Sequence, residues 1–202
     1  MKDKILSSPE PVTIMALAPL TNIATLLKEE PTLISHIEQI VVMGGSWYRG
    51  NVIPHAEFNI YADPHAAKEV FSGKVPTVII PLECCDDCTI SEETIQSWMK
   101  DKRYLTKMVG GIMDFFAIYG RKHQRTRHTI FDLAVVEYLL QPEIFKGEYC
   151  DCKVILTGEE TRGQTIFTPN PNSKILVLKH ADTNRFEQQI IADINQLANQ
   201  IK

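Results

Sequence analysis

Residues 37–45 read Ile37-Glu38-Gln39-Ile40-Val41-Val42-Met43-Gly44-Gly45. An apolar, β-branched run closed by a glycine pair predicts a strand from Ile37 to Met43. Upstream, Val12 to Leu17 predicts a buried strand that ends before Ala18-Pro19. Thr21 then offers an N-cap for a helix whose apolar side is Ile23, Ala24, Leu26 and Leu27, ended by Pro31. Downstream, Asp63-Pro64 predicts a helix start, with Asp63 as cap and Pro64 at the first helical position. That helix runs to Phe71, Gly73 closes it, and Val75 to Leu82 predicts a further strand. Strands alternating with helices predict an α/β fold, with an open, largely parallel sheet flanked by helices. Ligands of such sheets bind beyond the carboxyl ends of the strands, which directs attention to the loops after Leu17, Met43 and Leu82.

The second half continues with helices from Ser91 to Lys100, Lys102 to Lys122 and Asp132 to Leu140. Short strands are predicted at Val154 to Leu156 and Ile175 to Leu178. A C-terminal amphipathic helix follows from Phe186 to Ile201, with Ile190, Ile191, Ile194, Leu197 and Ile201 on one side.

The 202 residues are 44% hydrophobic and 23% charged, with 25 acids against 21 bases and a formal charge of −4. That composition predicts a globular chain with enough residues for a core. Mild acidity argues against nucleic acid as a partner, since that task usually needs a basic surface. The longest apolar runs are far short of the roughly 20 residues that cross a bilayer, so no membrane association is expected. Residues 1–11 hold no apolar stretch of the secretory kind, and the five cysteines are odd in number and tightly spaced. A reducing cytoplasm is the expected setting.

Four groups of residues stand out for chemistry or capping. In Ala56-Glu57-Phe58-Asn59-Ile60-Tyr61, an extended backbone would put Glu57 and Asn59 on one face and Phe58 on the other. A carboxylate beside an amide can hold vicinal hydroxyls, because one accepts and the other both donates and accepts. A polar strand facing solvent would use the same residues without a ligand. Asp132 and Asp63 each stand where an N-cap is expected; Asp132 is also a possible metal ligand. Cys85-Asp86-Asp87-Cys88 with Cys150-Asp151-Cys152 has the residue count of a zinc site, but the single residue inside the second pair is unusual for one. The run Arg121 to His128 is basic without a glycine-rich phosphate loop, as at a solvated helix end.

Taken together, the motifs closely resemble the inosine–uridine-preferring nucleoside hydrolases. The resemblance rests on Ala18-Pro19-Leu20-Thr21-Asn22-Ile23-Ala24, Val41-Val42-Met43-Gly44-Gly45, Gly50-Asn51 and Ala56 to Ala67. Phe131-Asp132-Leu133-Ala134, Thr161-Arg162-Gly163 and Phe186 follow in order. It implies hydrolysis of the N-glycosidic bond of ribonucleosides, with calcium as cofactor. Thr21 would lend calcium its backbone carbonyl and Asp132 its carboxylate; such hard oxygen ligands suit an ion that takes 6–8 of them. Met43, Asn51, Glu57 and Asn59 would hold the ribose, and Asn59 would also stabilise the oxocarbenium-like sugar. Two features depart from the family pattern. The Asp-rich motif that opens the family's first strand has no counterpart before Val12, and Phe131 stands where many members carry a histidine. The expectation is one nucleoside-hydrolase-like domain over residues 1–202, incomplete at its N-terminus and self-associating through an exposed sheet edge. A silent homologue that binds ribosides weakly or serves as a structural subunit is the alternative.

Overall fold

The computed structural model describes residues 1–200. Two compact units emerge. The first contains Met1–Cys84 and Phe131–His180, and the second contains Cys85–Ile130 with the C-terminal helix.

The first unit is built on a sheet. In chain order its elements are α1 (Lys2–Leu6), β1 (Val12–Ala16), α2 (Thr21–Glu29), a 3-10 helix Pro31–His36, β2 (Ile37–Met43), α3 (Phe58–Ala62), α4 (Pro64–Val70) and β3 (Thr77–Ile80). After α5 (Leu82–Asp87) the chain passes through the second unit, and it returns at Phe131. The second unit's strands and helices up to that point are β4 (Thr89–Ser91), α6 (Glu92–Lys100), α7 (Tyr104–Lys122) and β5 (Arg127–Thr129). Then follow α8 (Leu133–Leu140), β6 (Phe145–Val154), β7 (Thr165–Pro169) and β8 (Ile175–Ala181). The six-stranded sheet has the order β1-β2-β3-β8-β6-β7. β1, β2, β3 and β8 pair in parallel, whereas β6 and β7 form an antiparallel pair. The fold is therefore α/β with a mostly parallel sheet, as the alternation predicts.

β2 lies inside the sheet, and from Ile40 to Met43 every residue is buried. A strand covered on both faces must be apolar at successive positions, which is the pattern that residues 40–43 carry. Met15 pairs with Val41, and Val41 with Val78, so β1, β2 and β3 run in step. Their following loops therefore leave from the same, carboxyl end of the strands. The core beneath includes Leu20, Leu27, Leu33, Ile40, Ile60 and Ile79.

Several local expectations change. Leu20 occupies the N-cap of α2 and Thr21 is its first helical residue; the Thr21 hydroxyl is drawn instead to Asp63. Residues 58–62 are helical rather than extended. The strand expected at Val75 to Leu82 is confined to Thr77–Ile80, because Pro76 and Pro81 cannot donate to the ladder. Val154 ends a ten-residue strand instead of starting one. β7 has no counterpart in the sequence reading.

In the second unit β4 and β5 pair antiparallel, and α6 and α7 cross closely enough that a Cβ on Gly110 would lie 2.7 Å from the Met99 nitrogen. Ser91 caps α6 as its hydroxyl accepts from Thr94 N–H at 3.1 Å. The last helix, α9 (Thr183–Gln200), buries Phe186, Glu187, Ile190 and Ala198, and leaves Leu197 47% exposed. Ile201 lies outside the described residues. Glu187 accepts from Ser91, Thr94 and Arg127. Burial opposes its charge, but these donors together hold its carboxyl at about 2. Among the described residues, no helix is long and apolar enough to cross a membrane.

Candidate active site

The loop after β2 and the turn around α3 bring Met43, Asn51, Glu57 and Asn59 together, whereas Thr21 bonds to Asp63. Glu57 is the N-cap of α3. Its Oε1 accepts from Asn59 N–H at 2.8 Å, and its Oε2 from Ile60 N–H at 3.2 Å. Oε2 also accepts from Gly45 N–H, 12 residues back in the chain, at 3.1 Å. A helix N-terminus has unpaired N–H groups and a positive dipole end, so a carboxylate is a natural cap there. This explains why Glu57 and Asn59 are both buried while Phe58 is 54% exposed. The grouping expected from an extended backbone is present, but helix capping produces it. The reading of a solvent-facing polar strand is excluded by the burial of both side chains. Burial raises the Glu57 carboxyl above its ordinary value, against the pull of its three backbone donors, and the charge of Asp132 adds to the rise.

Asn59 Nδ2 donates to the carbonyl of Met43, the last residue of β2, at 3.0 Å. Asn51 Oδ1 accepts from Phe58 N–H at 2.9 Å. Met43, Asn51, Glu57 and Asn59 are thus joined, directly or through the backbone of α3, into one cluster at the carboxyl end of β2.

The two aspartates expected as caps diverge. Asp63 accepts from Ala66 N–H at 3.0 Å and from the Thr21 hydroxyl at 2.6 Å, and the Thr21 bond foremost holds its carboxyl below the usual range. Asp132 stands at the N-cap position of α8 with helical backbone angles and no capping bond. Partial burial raises its carboxyl. Its carboxylate has therefore no cap role.

The two expected metal donors, Thr21 and Asp132, do not by themselves complete a calcium site. The Thr21 carbonyl lies in α2 and already accepts the Thr25 hydroxyl at 2.8 Å. Asp132 is then the remaining member of the expected pair, while calcium needs six or more oxygens. Among the described residues no group of three or more His, Cys, Asp or Glu side chains could hold a metal. That statement includes the cysteines considered for zinc; none of the five is in a disulfide.

Residues to which the sequence reading gave no role complete the scaffold. Arg162 Nη1 donates to the Tyr61 carbonyl, and its guanidinium lies 4.9 Å from the Tyr61 ring centre. A cation at the last turn of α3 suits the helix dipole. A Cβ on Gly163 would approach Tyr61 Cα to 2.5 Å, so only glycine lets this loop sit against α3. Thr165 in β7 receives Ser46 N–H at 2.9 Å, and Glu83 receives Trp47 N–H at 2.8 Å. Arg162 and Gly163 lie in a motif that carried the resemblance, whereas Thr165 and Glu83 have no local signal.

Comparison with known proteins supplies the family. The family model described as inosine-uridine preferring nucleoside hydrolase matches residues 1–188. A pyrimidine-specific ribonucleoside hydrolase RihA of Shewanella woodyi is 38% identical over 165 residues, 81% of this chain and 53% of the relative. A non-specific ribonucleoside hydrolase RihC of Salmonella schwarzengrund is 34% identical over 166 residues, 82% of this chain and 53% of the relative. The chain thus spans about half the length of these curated relatives. Among solved structures, a purine-preferring ribonucleoside hydrolase from Gardnerella vaginalis superposes with a TM-score of 0.87 at 25% identity, covering 97% of this chain and 64% of that one. A plant nucleoside hydrolase has a TM-score of 0.86 at 24% identity, covering 95% and 64%. The agreement of motif order, sheet topology and family match has one conclusion: this chain belongs to the inosine-uridine preferring nucleoside hydrolase family.

Proposed function

We propose that this chain carries the ribose-binding part of an N-ribosyl hydrolase that splits ribonucleosides into base and ribose. The observation that carries the reading is the cluster Met43, Asn51, Glu57 and Asn59 at the carboxyl end of β2, in a chain of this family. Glu57 and Asn59 are the polar groups suited to ribose hydroxyls: one carboxylate that accepts, and one amide that donates and accepts. Asn59 is the group assigned to the electron-poor sugar as the glycosidic bond breaks, where an amide oxygen stabilises positive charge. Met43 and Asn51 complete the wall. Asp132 is the carboxylate assigned to a metal, with calcium as the ion that the family resemblance implies. The donors among the described residues do not complete such a site, so no step is assigned to it.

The substrate class is purine or pyrimidine ribonucleosides. The names of the relatives span pyrimidine-specific, non-specific and purine-preferring enzymes, and each belongs to its own protein. A cytoplasmic location and a homo-oligomer complete the proposal.

Incubation of the purified chain with inosine or uridine and calcium, with base release followed over time, tests the reading. Release that Glu57→Ala and Asn59→Ala both abolish supports it. No release, together with no calcium uptake by calorimetry, sinks it in favour of a silent homologue.

A further inference from the structure

The loop after β2 is bound amide by amide. Gly44 N–H donates to the Ile80 carbonyl at 3.1 Å, and Gly45 N–H to Glu57 Oε2 at 3.1 Å. Ser46 N–H donates to Thr165 Oγ1 at 2.9 Å. Trp47 N–H donates to Glu83 Oε2 at 2.8 Å, and Tyr48 N–H to Glu83 Oε1 at 3.0 Å. From Gly45 to Tyr48, then, four successive N–H groups each meet a side-chain oxygen. The backbone path turns at Gly45, whose φ of +75° lies in the left-handed region.

We propose that Glu83 is a positioning residue for the site: its carboxylate sets the middle of the loop that carries Met43 at one end and Asn51 at the other. The effect on substrate rests on the ribohydrolase reading above; the effect on the loop does not. The two ends of the loop are tied to α3 by other bonds, Met43 carbonyl to Asn59 and Asn51 to Phe58 N–H. Between them, the backbone of Trp47 and Tyr48 hangs on the two oxygens of one charged group. A carboxylate that receives two adjacent amides fixes direction as well as distance, and such charge-assisted bonds are stronger than neutral ones.

Glu83 stands in the first turn of the six-residue helix α5, where an acidic residue could serve the helix dipole alone. Its oxygens face instead a loop that lies 36 residues back in the chain. The Trp47 side chain is held separately: its Nε1 donates to the Leu178 carbonyl at 3.2 Å, and its ring lies 4.8 Å from that of Phe167. With Trp47 anchored by its ring and Glu83 holding the backbone, the next residue, Tyr48, is presented 80% exposed at the crest. Crest and ribose-side residues therefore share one rigid frame, and Glu83 is its middle support.

The test compares Glu83→Ala and Glu83→Gln with the parent by amide hydrogen exchange and by nucleoside hydrolysis. In Glu83→Ala, exchange at Trp47 and Tyr48 is expected to rise about tenfold or more, while Val41, Val42 and Ile79 stay protected. Glu83→Gln keeps one carbonyl acceptor, so it should restore protection to one of the two amides. The KM for nucleoside should rise about tenfold in Glu83→Ala with little change in kcat, as expected when a binding wall loosens. Unchanged exchange at both amides in both variants overturns the proposal, as does an unchanged KM in a variant whose loop has loosened. Should Glu83→Ala fail to fold, Glu83→Gln decides by the same readouts. A parent chain that releases no base and takes up no calcium refutes the ribohydrolase reading, and the exchange rates at Trp47 and Tyr48 then decide the role of Glu83 by themselves.

Discussion

The side-chain amide of Asn59 donates to the main-chain carbonyl of Met43 at 3.0 Å, so helix α3 closes directly onto the last residue of β2. This bond satisfies the Met43 carbonyl and commits the Asn59 amide nitrogen to the scaffold. Removing Asn59 consequently affects both stability and chemistry. Asn59→Ala should cost about 1–2 kcal/mol, since a buried carbonyl loses its donor, and a denaturant melt checks this. In an active preparation the same change should lower kcat/KM by about 100-fold or more, the scale of a lost transition-state donor or dipole.

Glu57 is expected to shape the pH dependence of the first unit. Its carboxyl lies above the ordinary value of 4.5, chiefly because it is buried. The folded chain therefore holds this proton more tightly than the unfolded chain does. The stability that proton binding contributes is full below the ordinary glutamate value and is lost as pH rises through the raised one. The stability of the parent minus that of Glu57→Gln should fall as pH climbs from 4.5 through that window. A difference that stays flat, measured by urea melts across the pH range, would contradict the assignment.

The second unit should respond in the opposite sense. Arg121 foremost holds the Glu92 carboxyl at about 2, and the Glu187 carboxyl stands at about 2 despite burial. Both groups contribute stability above the ordinary value of 4.5 that is lost as pH falls toward 2. Acid unfolding followed by amide exchange should release α6 and β4 in this range, and Glu187→Gln should move the loss to higher pH.

Asp63 and Asp132 stand at corresponding positions before α4 and α8, yet only Asp63 caps its helix. Asp63→Ala should cost about 1 kcal/mol, with a further loss from the Thr21 hydroxyl it leaves behind. Asp132→Asn should cost no more than about 0.5 kcal/mol, the range of a change away from packing or capping. Equal losses in thermal melts would mean that Asp132 has a structural task that its geometry does not display.

β1 is the end strand of the sheet, and Met15 on it is 51% exposed. An open edge bearing apolar side chains favours pairing with another chain. Sedimentation should show concentration-dependent association, which Met15→Lys should weaken. A strict monomer at every concentration would remove the homo-oligomer from the proposal.

The parts of the fold legible in advance are those whose cause lies within a few residues. The run from Ile40 to Met43 is apolar at every position because its strand is covered on both faces. Asp63-Pro64 starts a helix because capping and proline preference act within a single turn. The segment Glu57 to Ala62 was half legible. Its grouping of Glu57 with Asn59 is visible in the spacing, but the choice of helix over strand is not, since five residues suffice for either. Thr21 stands one position inside its helix because the cap preference of a threonine yields to a bond with Asp63, 42 residues away.

The sequence by itself determined the family, the α/β class, the parallel core strands and the names of the clustered residues. The tertiary structure alone decided what holds them. Glu83 reaches Trp47 across 36 residues, and Thr165 reaches Ser46 across 119. β7, which supplies Thr165, exists because β6 offers it an edge. Periodicity and capping are written in near neighbours, so they can be read along the chain. A side-chain oxygen that holds a distant amide depends on strand register and loop path, which exist only once the sheet has formed.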